Sequence, residues 1–179
     1  MEIEEEHRYS YREQKLQSVH FRFDVALPMR VRYAALTAFT STVEWSIVAL
    51  KPAFHIPKTP KGKSEIVHRL EIFAERCDMD VDAQIGCFEF LTWVRNSIMH
   101  NAGALKGYKH EAQIRTAIAK FEPNFTISNW HHIGDTVEIK HGAIEPLIEQ
   151  WRVIIRELYT TATNRKLLVF ERSPMKPRL

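Results

Sequence analysis

The sequence is short of the residues that build a scaffold from covalent links. Its 179 residues include only two cysteines and six glycines. Cys77 and Cys87 cannot form a disulfide framework, and they have neither a CxxC spacing nor a paired histidine that would indicate a zinc site. Both lie among apolar residues, which favours reduced thiols in a core. The fold therefore has to come from hydrophobic packing.

Net charge and long hydrophobic runs are also scarce. The 25 basic and 22 acidic residues leave a net charge of +3, which excludes a histone-like binder but not a local basic site. No apolar run approaches the roughly 20 residues needed to cross a bilayer. The stretch 1–10 is acidic and lacks the apolar centre of a signal peptide. We therefore expect a cytoplasmic protein without membrane association.

The composition is that of a soluble globular protein, with 45% hydrophobic and 26% charged residues. We expect a weakly patterned N-terminal segment over 1–27, one helical domain over 28–170, and a flexible basic tail over 171–179. Within the first segment, a polar stretch predicts a helix over 4–17. The alternation of Val19-His20-Phe21-Arg22-Phe23 predicts a short strand.

Spacings of three and four between apolar residues predict helices over most of the chain. The first helix begins near Pro28, because proline suits a first helical turn, and it ends near Leu50. Three prolines and a glycine between residues 51 and 63 exclude regular structure there. The remaining helices are predicted at about 64–77, 82–101, 109–121 and 143–168.

The apolar period changes to two before the last helix. Residues 125–128 and 136–140 alternate, and Gly134-Asp135 between them has the composition of a turn. The sequence therefore predicts a mainly α fold, a bundle of about five helices with a small β-hairpin before the last helix.

The end of the predicted helix 82–101 departs from the pattern of an ordinary core helix. Arg95, Asn96, His100 and Asn101 stand there among apolar residues. Asn96 and His100 are four apart and share a face. Arg95 and His100 are separated by about 140° around the axis and about 7.5 Å along it, so the arginine has to lean toward the histidine. From these residues alone, a structural pair between Arg95 and a carboxylate and a C-capping His100 are the commoner explanation.

Arg95-Asn96-Ser97-Ile98-Met99-His100 resembles the RNxxxH signature of the HEPN superfamily, and the continuation Asn101-Ala102-Gly103 is similar to the helix end of many HEPN-like proteins. The resemblance implies a HEPN-like helical bundle that forms a homodimer, with the Arg and His motifs of both protomers meeting at the interface. Active members are metal-independent RNases, whereas others have lost catalysis and act as binding modules. Many belong to toxin–antitoxin or phage-defence systems, which implies an antitoxin or nucleotidyltransferase partner.

The chemistry of these residues is compatible with RNA cleavage that uses no metal and no cofactor. Such cleavage needs a base for the 2′-OH, charge stabilisation at phosphorus and a proton for the leaving oxygen. Histidine, with an unperturbed pKa near 6.5, suits the proton transfers. The arginine fork matches phosphate oxygens, and Asn96 can orient either group. Arg95, His100 and Asn96 are the predicted catalytic residues, and the product would be a 2′,3′-cyclic phosphate.

Several other residues are candidates for a supporting, metal-binding or RNA-binding role. Glu44 lies in an apolar run and needs a partner, for which Arg95 is one candidate; the alternative is that Glu44 reaches solvent beside Trp45. Asn101 is a second supporting candidate. His131, His132 and His141 lack a completing carboxylate or cysteine, so we predict no metal site. A basic loop either guides an RNA backbone or is simply solvated, and it contains Lys51, Lys58, Lys61 and Lys63.

Three hypotheses follow from the sequence. The first is a HEPN-type endoribonuclease of a toxin or phage-defence system, acting on an RNA substrate. The alternative is a catalytically inactive HEPN module that binds a nucleotide, RNA or a partner protein. The third is a helical structural or regulatory protein without any nucleic-acid role.

Overall fold

The computed structural model describes residues 2–50, 56–61, 64–130 and 133–165, with side chains described from Tyr9 onward. As predicted, the fold is mainly helical with a small hairpin before the last helix. The elements are α1 (Glu2–His20), a π-helical segment (Phe21–Ala26), α2 (Leu27–Ala49), α3 (Glu65–Cys77), α4 (Asp82–Asn101), α5 (Glu111–Ala117), a 3-10 turn (Ile118–Lys120), β1 (Phe125–Trp130), β2 (Gly134–Ile139) and α6 (Glu145–Asn164).

The N-terminal quarter of the chain is a continuous helical rod formed by α1, the π-helical segment and α2. The helix expected over 4–17 is confirmed within α1, and Pro28 lies in the first turn of α2. The strand predicted over Val19–Phe23 is wrong, because these residues form the end of α1 and the start of the π-helical segment. An alternation of only five residues also fits a helix, since Val19 and Phe23 are four apart and share a face.

The core lies where α2 packs against α3, α4 and α6. The predicted stripe of α2 is buried, including Leu36, Val43 and Ile47. Aromatic rings fill the centre: Phe88 meets Trp151 edge-on with ring centroids 5.4 Å apart, and Phe90 stacks on Phe121 at 4.1 Å. Such aromatic pairs add to the stabilisation from burial alone.

Helix α4 covers the predicted range, and its C-terminal end is clamped against α2 and β2. Ala102 and Gly103 both have positive φ, 50° and 86°. A Cβ on Gly103 would lie 2.8 Å from the hydroxyl oxygen of Tyr33, so the backbone approach requires glycine. That hydroxyl donates to the carbonyl of Val137 at 2.7 Å. The last turn of α4 therefore has a fixed position relative to the hairpin.

The hairpin pairs antiparallel, from Phe125 opposite Ile139 to Trp130 opposite Gly134. The predicted turn residues Gly134 and Asp135 are instead the first two residues of β2, because β1 extends two residues beyond its predicted end. Glycine at φ 84° serves this strand start as readily as a turn. The loop after α4 is attached to the hairpin by the Leu105 amide, which donates to the Asp135 carbonyl at 2.8 Å.

Two predicted helices are shorter than expected. The α5 helix ends at Ala117, and the 3-10 turn continues it to Lys120. The α6 helix ends at Asn164, whereas its predicted end at residue 168 and the predicted tail over 171–179 lie outside the described residues.

Candidate functional site

The candidate site begins with an ion pair between α2 and α4. Nη1 of Arg95 lies 3.0 Å from Oε2 of Glu44, 51 positions earlier in the sequence. The side chains are 17% and 28% exposed, so the pair is partly shielded from water. The two helices run antiparallel, since Glu44 meets Arg95 at one end and Tyr33 meets Gly103 at the other. The partner considered for Glu44 from the sequence is therefore the one it has.

The guanidinium of Arg95 is held from two sides. Its Nε donates to Oδ1 of Asn96 at 3.1 Å, in addition to the bond from Nη1 to Glu44. No hydrogen bond joins its Nη2 to another described residue. Because guanidinium groups bind phosphates through paired N–H donors, a fixed Arg95 with a remaining donor is suited to an anionic group.

His100 lies on a different side of α4. It is exposed in the last turn of the helix and has no hydrogen bond to another described residue. Asn96 shares its face, whereas Arg95 is about 140° away around the axis. Met99 lies between the two directions and is 61% exposed. The structure brings together Glu44, Arg95 and Asn96, but it shows no contact between Arg95 and His100 within one chain.

Asn101 stabilises the loop that follows α4. Its Nδ2 donates to the carbonyl of Ala104 at 2.7 Å and lies 3.4 Å from the carbonyl of Lys106. Both carbonyls belong to the turn that leads to Tyr108. Asn101 therefore has a structural contact in this loop, and its supporting role in a catalytic site stays a prediction.

Sequence reasoning missed Tyr108, whose hydroxyl is buried near Arg95 and Asn96. Burial raises the pKa of Tyr108, while the charge of Arg95 and the side chain of Asn96 act in the opposite direction. Its hydroxyl is one of the few buried side-chain atoms in the described part of the chain without a well-formed hydrogen bond. Burial therefore keeps the phenol of Tyr108 uncharged beside Arg95 and Asn96.

Trp93 and His110 extend this neighbourhood and were also missed. The Trp93 ring stacks on His110 with centroids 5.6 Å apart and a 20° angle, and the Tyr108 and His110 rings are 5.7 Å apart. Burial, and then the charge of Lys109, lowers the pKa of His110. The segment Gly107-Tyr108-Lys109-His110 was the available signal, but a tyrosine and a histidine in a loop do not by themselves indicate a functional site.

The other predicted residues that the structure describes lie apart from this cluster. Lys58 and Lys61 are exposed and form no hydrogen bond or ion pair with Arg95 or His100, whereas Lys51 and Lys63 lie outside the described residues. His131 and His132 are also outside them, and His141 is exposed. Among the residues the structure describes, no group of three or more metal-ligating side chains is found. None of the helices in that part of the chain is long and apolar enough to span a membrane.

Comparisons with known proteins return nothing similar to this chain. A scan against protein-family models matches no family, and searches of curated proteins and of solved structures return no match.

Proposed function

We propose that this protein is a metal-independent endoribonuclease of the HEPN type that acts as a homodimer in a toxin–antitoxin or phage-defence system. The observation that carries the proposal is the Arg95 guanidinium. Glu44 and Asn96 hold it by hydrogen bonds, and its Nη2 forms none with another described residue. Arg95 also lies five residues before the exposed His100 on the same helix. These are the groups that cleavage by 2′-OH attack requires.

In the proposed reaction, His100 of one protomer removes the proton from a ribose 2′-OH. The oxygen attacks the adjacent phosphorus, and Arg95 stabilises the negative charge that develops on the phosphoryl oxygens. The bond from phosphorus to the 5′ oxygen breaks, and the second protomer's protonated histidine supplies the proton to that leaving oxygen. The products are a 2′,3′-cyclic phosphate and a 5′-hydroxyl.

The proposal requires two copies because one imidazole cannot act as base and acid in the same step. The surface beside the ion pair supports association. Trp45 is 72% exposed, Met99 is 61% exposed and Val48 is 43% exposed, although all three are apolar. An exposed apolar group next to a polar site is typical of an interaction surface. An antitoxin or a nucleotidyltransferase is the partner that fits the proposed system.

The test is incubation of the purified protein with single-stranded RNA in EDTA, beside His100→Ala. His141→Ala is the matched control, since His141 is also exposed but lies after β2. We expect the wild type and the control to cut and His100→Ala to be inactive, with cyclic phosphate at the new 3′ ends. Equal cutting by all three proteins, or none by any, would refute the proposal.

A catalytically inactive HEPN module is the second candidate. It is favoured by His100, which has no hydrogen bond to orient it among the described residues. In general base catalysis the imidazole is commonly held by a second group. RNA or nucleotide binding that is lost in Arg95→Ala, without any turnover by the wild type, would select this candidate.

A further inference from the structure

A cavity of about 790 Å³ lies between the helical rod and the hairpin. Its walls come from the end of α1, the π-helical segment, the start of α2, the end of α4 and the hairpin. It is large enough for a nucleotide-sized ligand. We call it the rod–hairpin cavity, and nothing in the proposed cleavage reaction uses it.

One wall of the rod–hairpin cavity is aromatic. Phe21 and Trp130 meet edge-on at 5.6 Å and 71°, and they join the π-helical segment to the hairpin. Phe21 is still 46% exposed despite this contact. A partly uncovered aromatic pair offers a planar ligand a face on which to stack, as in proteins that bind single-stranded nucleic acids. π-Helical insertions are frequent at functional sites.

The charged side chains that line the cavity are both cationic. Arg22 and Arg30 line it together with the amides of Gln14 and Gln17, and no lining residue is acidic. Neither arginine forms an ion pair with a described residue, in contrast to the neighbouring Asp24, which pairs with His20. A cavity with two arginines and no carboxylate favours an anionic ligand, and the glutamine amides can hydrogen-bond base edges.

A more open groove extends this cavity toward the candidate site, and its lining ends at Met99, one residue before His100. The groove lies between α2 and α4, shares Arg30, Tyr33 and Ile98 with the cavity, and reaches Ser41 and Met99. From Ala102 at the cavity to Arg95, α4 rises only about 10 Å, at 1.5 Å per residue. One RNA strand can therefore pass Arg95 and place a nearby base in the cavity.

We propose that the rod–hairpin cavity binds one base of single-stranded RNA close to the scissile phosphate, with the base against Phe21 and Trp130 and a backbone phosphate at Arg22 and Arg30. The inference rests on the proposed function and specifies its substrate as unpaired RNA. A duplex does not fit, since a paired base is stacked inside its helix and cannot enter the cavity.

The experiment measures binding of a labelled single-stranded oligoribonucleotide to the full chain carrying His100→Ala, which prevents cutting. Phe21→Ala is compared with Phe23→Ala, because Phe23 lies in the same π-helical segment, is 64% exposed and does not line the cavity. We expect about 5- to 100-fold weaker binding for Phe21→Ala and little change for Phe23→Ala. Thermal melting checks that each variant is folded.

A second pair of variants tests the charges. Arg22→Gln with Arg30→Gln is compared with Arg12→Gln, an exposed arginine of α1 that does not line the cavity. Neutralising a phosphate contact lowers the salt dependence of binding, so the double variant should reduce the slope of log K against log salt by about 0.7 for each contact. A duplex of the same sequence should bind more weakly than the single strand to the unaltered cavity.

Equal binding by Phe21→Ala and Phe23→Ala, or an unchanged salt slope, would overturn the inference. The cleavage assay on chains that retain His100 separates it from the proposed function. If RNA is cleaved and the Phe21→Ala variant cleaves it as fast as the wild type, the proposed RNase function is supported and base binding in the rod–hairpin cavity is refuted. If binding depends on Phe21 but the wild type does not cleave RNA, base binding in the cavity is supported and the RNase reaction is refuted.

Discussion

The two halves of α4 differ in what surrounds them. The first half supplies Phe88, Phe90 and Leu91 to the core, where all three are buried. The second half supplies Arg95, Asn96 and His100, which face α2, the following loop and solvent. One continuous helix therefore combines a segment that stabilises the fold with a segment that presents polar groups at fixed positions.

The difference follows from the neighbours of each half. The first half packs against aromatic rings, and burial there raises the pKa of the Cys87 thiol to about 11, which keeps it protonated and unreactive. The second half also buries Val94 and Ser97, but its polar side chains are held by a few directional contacts, above all Arg95 with Glu44 and the Asn101 contacts in the loop. Changes at the buried aromatic residues of the first half should affect unfolding, and changes at Arg95, Asn96 and His100 in the second half should affect function.

The largest effect expected in the second half is on catalysis. His100→Ala should lower the rate of RNA cleavage by about 10²- to 10⁴-fold, the usual contribution of a general acid or base. The free energy of unfolding should change by less than about 0.5 kcal/mol, since the side chain is exposed. Single-turnover cleavage and urea unfolding measure the two quantities. A large loss of stability would show that His100 is structural.

The largest effect expected in the first half is on stability. Phe90→Ala removes a fully buried ring that contacts Phe121 and Phe125, and should lower the free energy of unfolding by about 3–5 kcal/mol. Urea denaturation measures it. The matched control is Phe23→Ala, since Phe23 is exposed and its loss should cost little. Similar losses for both variants would contradict the assignment of the core.

An intermediate effect is expected for the contact that positions Arg95. Glu44→Gln removes a partly exposed ion pair, so the free energy of unfolding should fall by no more than about 1 kcal/mol. Cleavage should fall about 10- to 100-fold, because a guanidinium that is no longer fixed is displaced from the phosphate. Cleavage rates are compared for Glu44→Gln, Arg95→Ala and the double variant. Additive losses in the double variant would show that Glu44 does not act through Arg95.

The smallest effect concerns His110 and pH. Burial and Lys109 lower its pKa below the value near 6.5 expected in the unfolded chain, so the unfolded state binds more protons between the two values. This contribution to stability is therefore present above about pH 6.5 and is lost as the pH falls toward the folded pKa. In the His110→Phe variant, the free energy of unfolding, measured by urea denaturation at several pH values between 7 and 5, should depend less steeply on pH. An identical slope in wild type and variant would exclude this contribution.

The helices that form the core were predictable because each has an apolar stripe, and α4 was located from its first to its last residue. The helical state of Val19–Phe23 was not predictable, because five alternating residues fit a strand as well as a helical face. No strand of the described residues lies beside them. In the candidate site, Glu44, Arg95 and Asn96 were recognisable as polar residues among apolar ones. Tyr108 and His110 were not, because nothing in their own segment indicates that Tyr108 is buried near Arg95 or that His110 stacks on Trp93.

The sequence by itself determined the helical class of this protein, the position of the hairpin and the polar end of α4, because hydrophobic period and local residue chemistry act over a few positions. Only the tertiary structure decided that Glu44 anchors Arg95, that Tyr108 and His110 join the neighbourhood, and that Phe21 and Trp130 border one cavity. These contacts join residues that are far apart in sequence. They depend on the crossing of α2 with α4 and on the clamp at Gly103, neither of which leaves a local pattern.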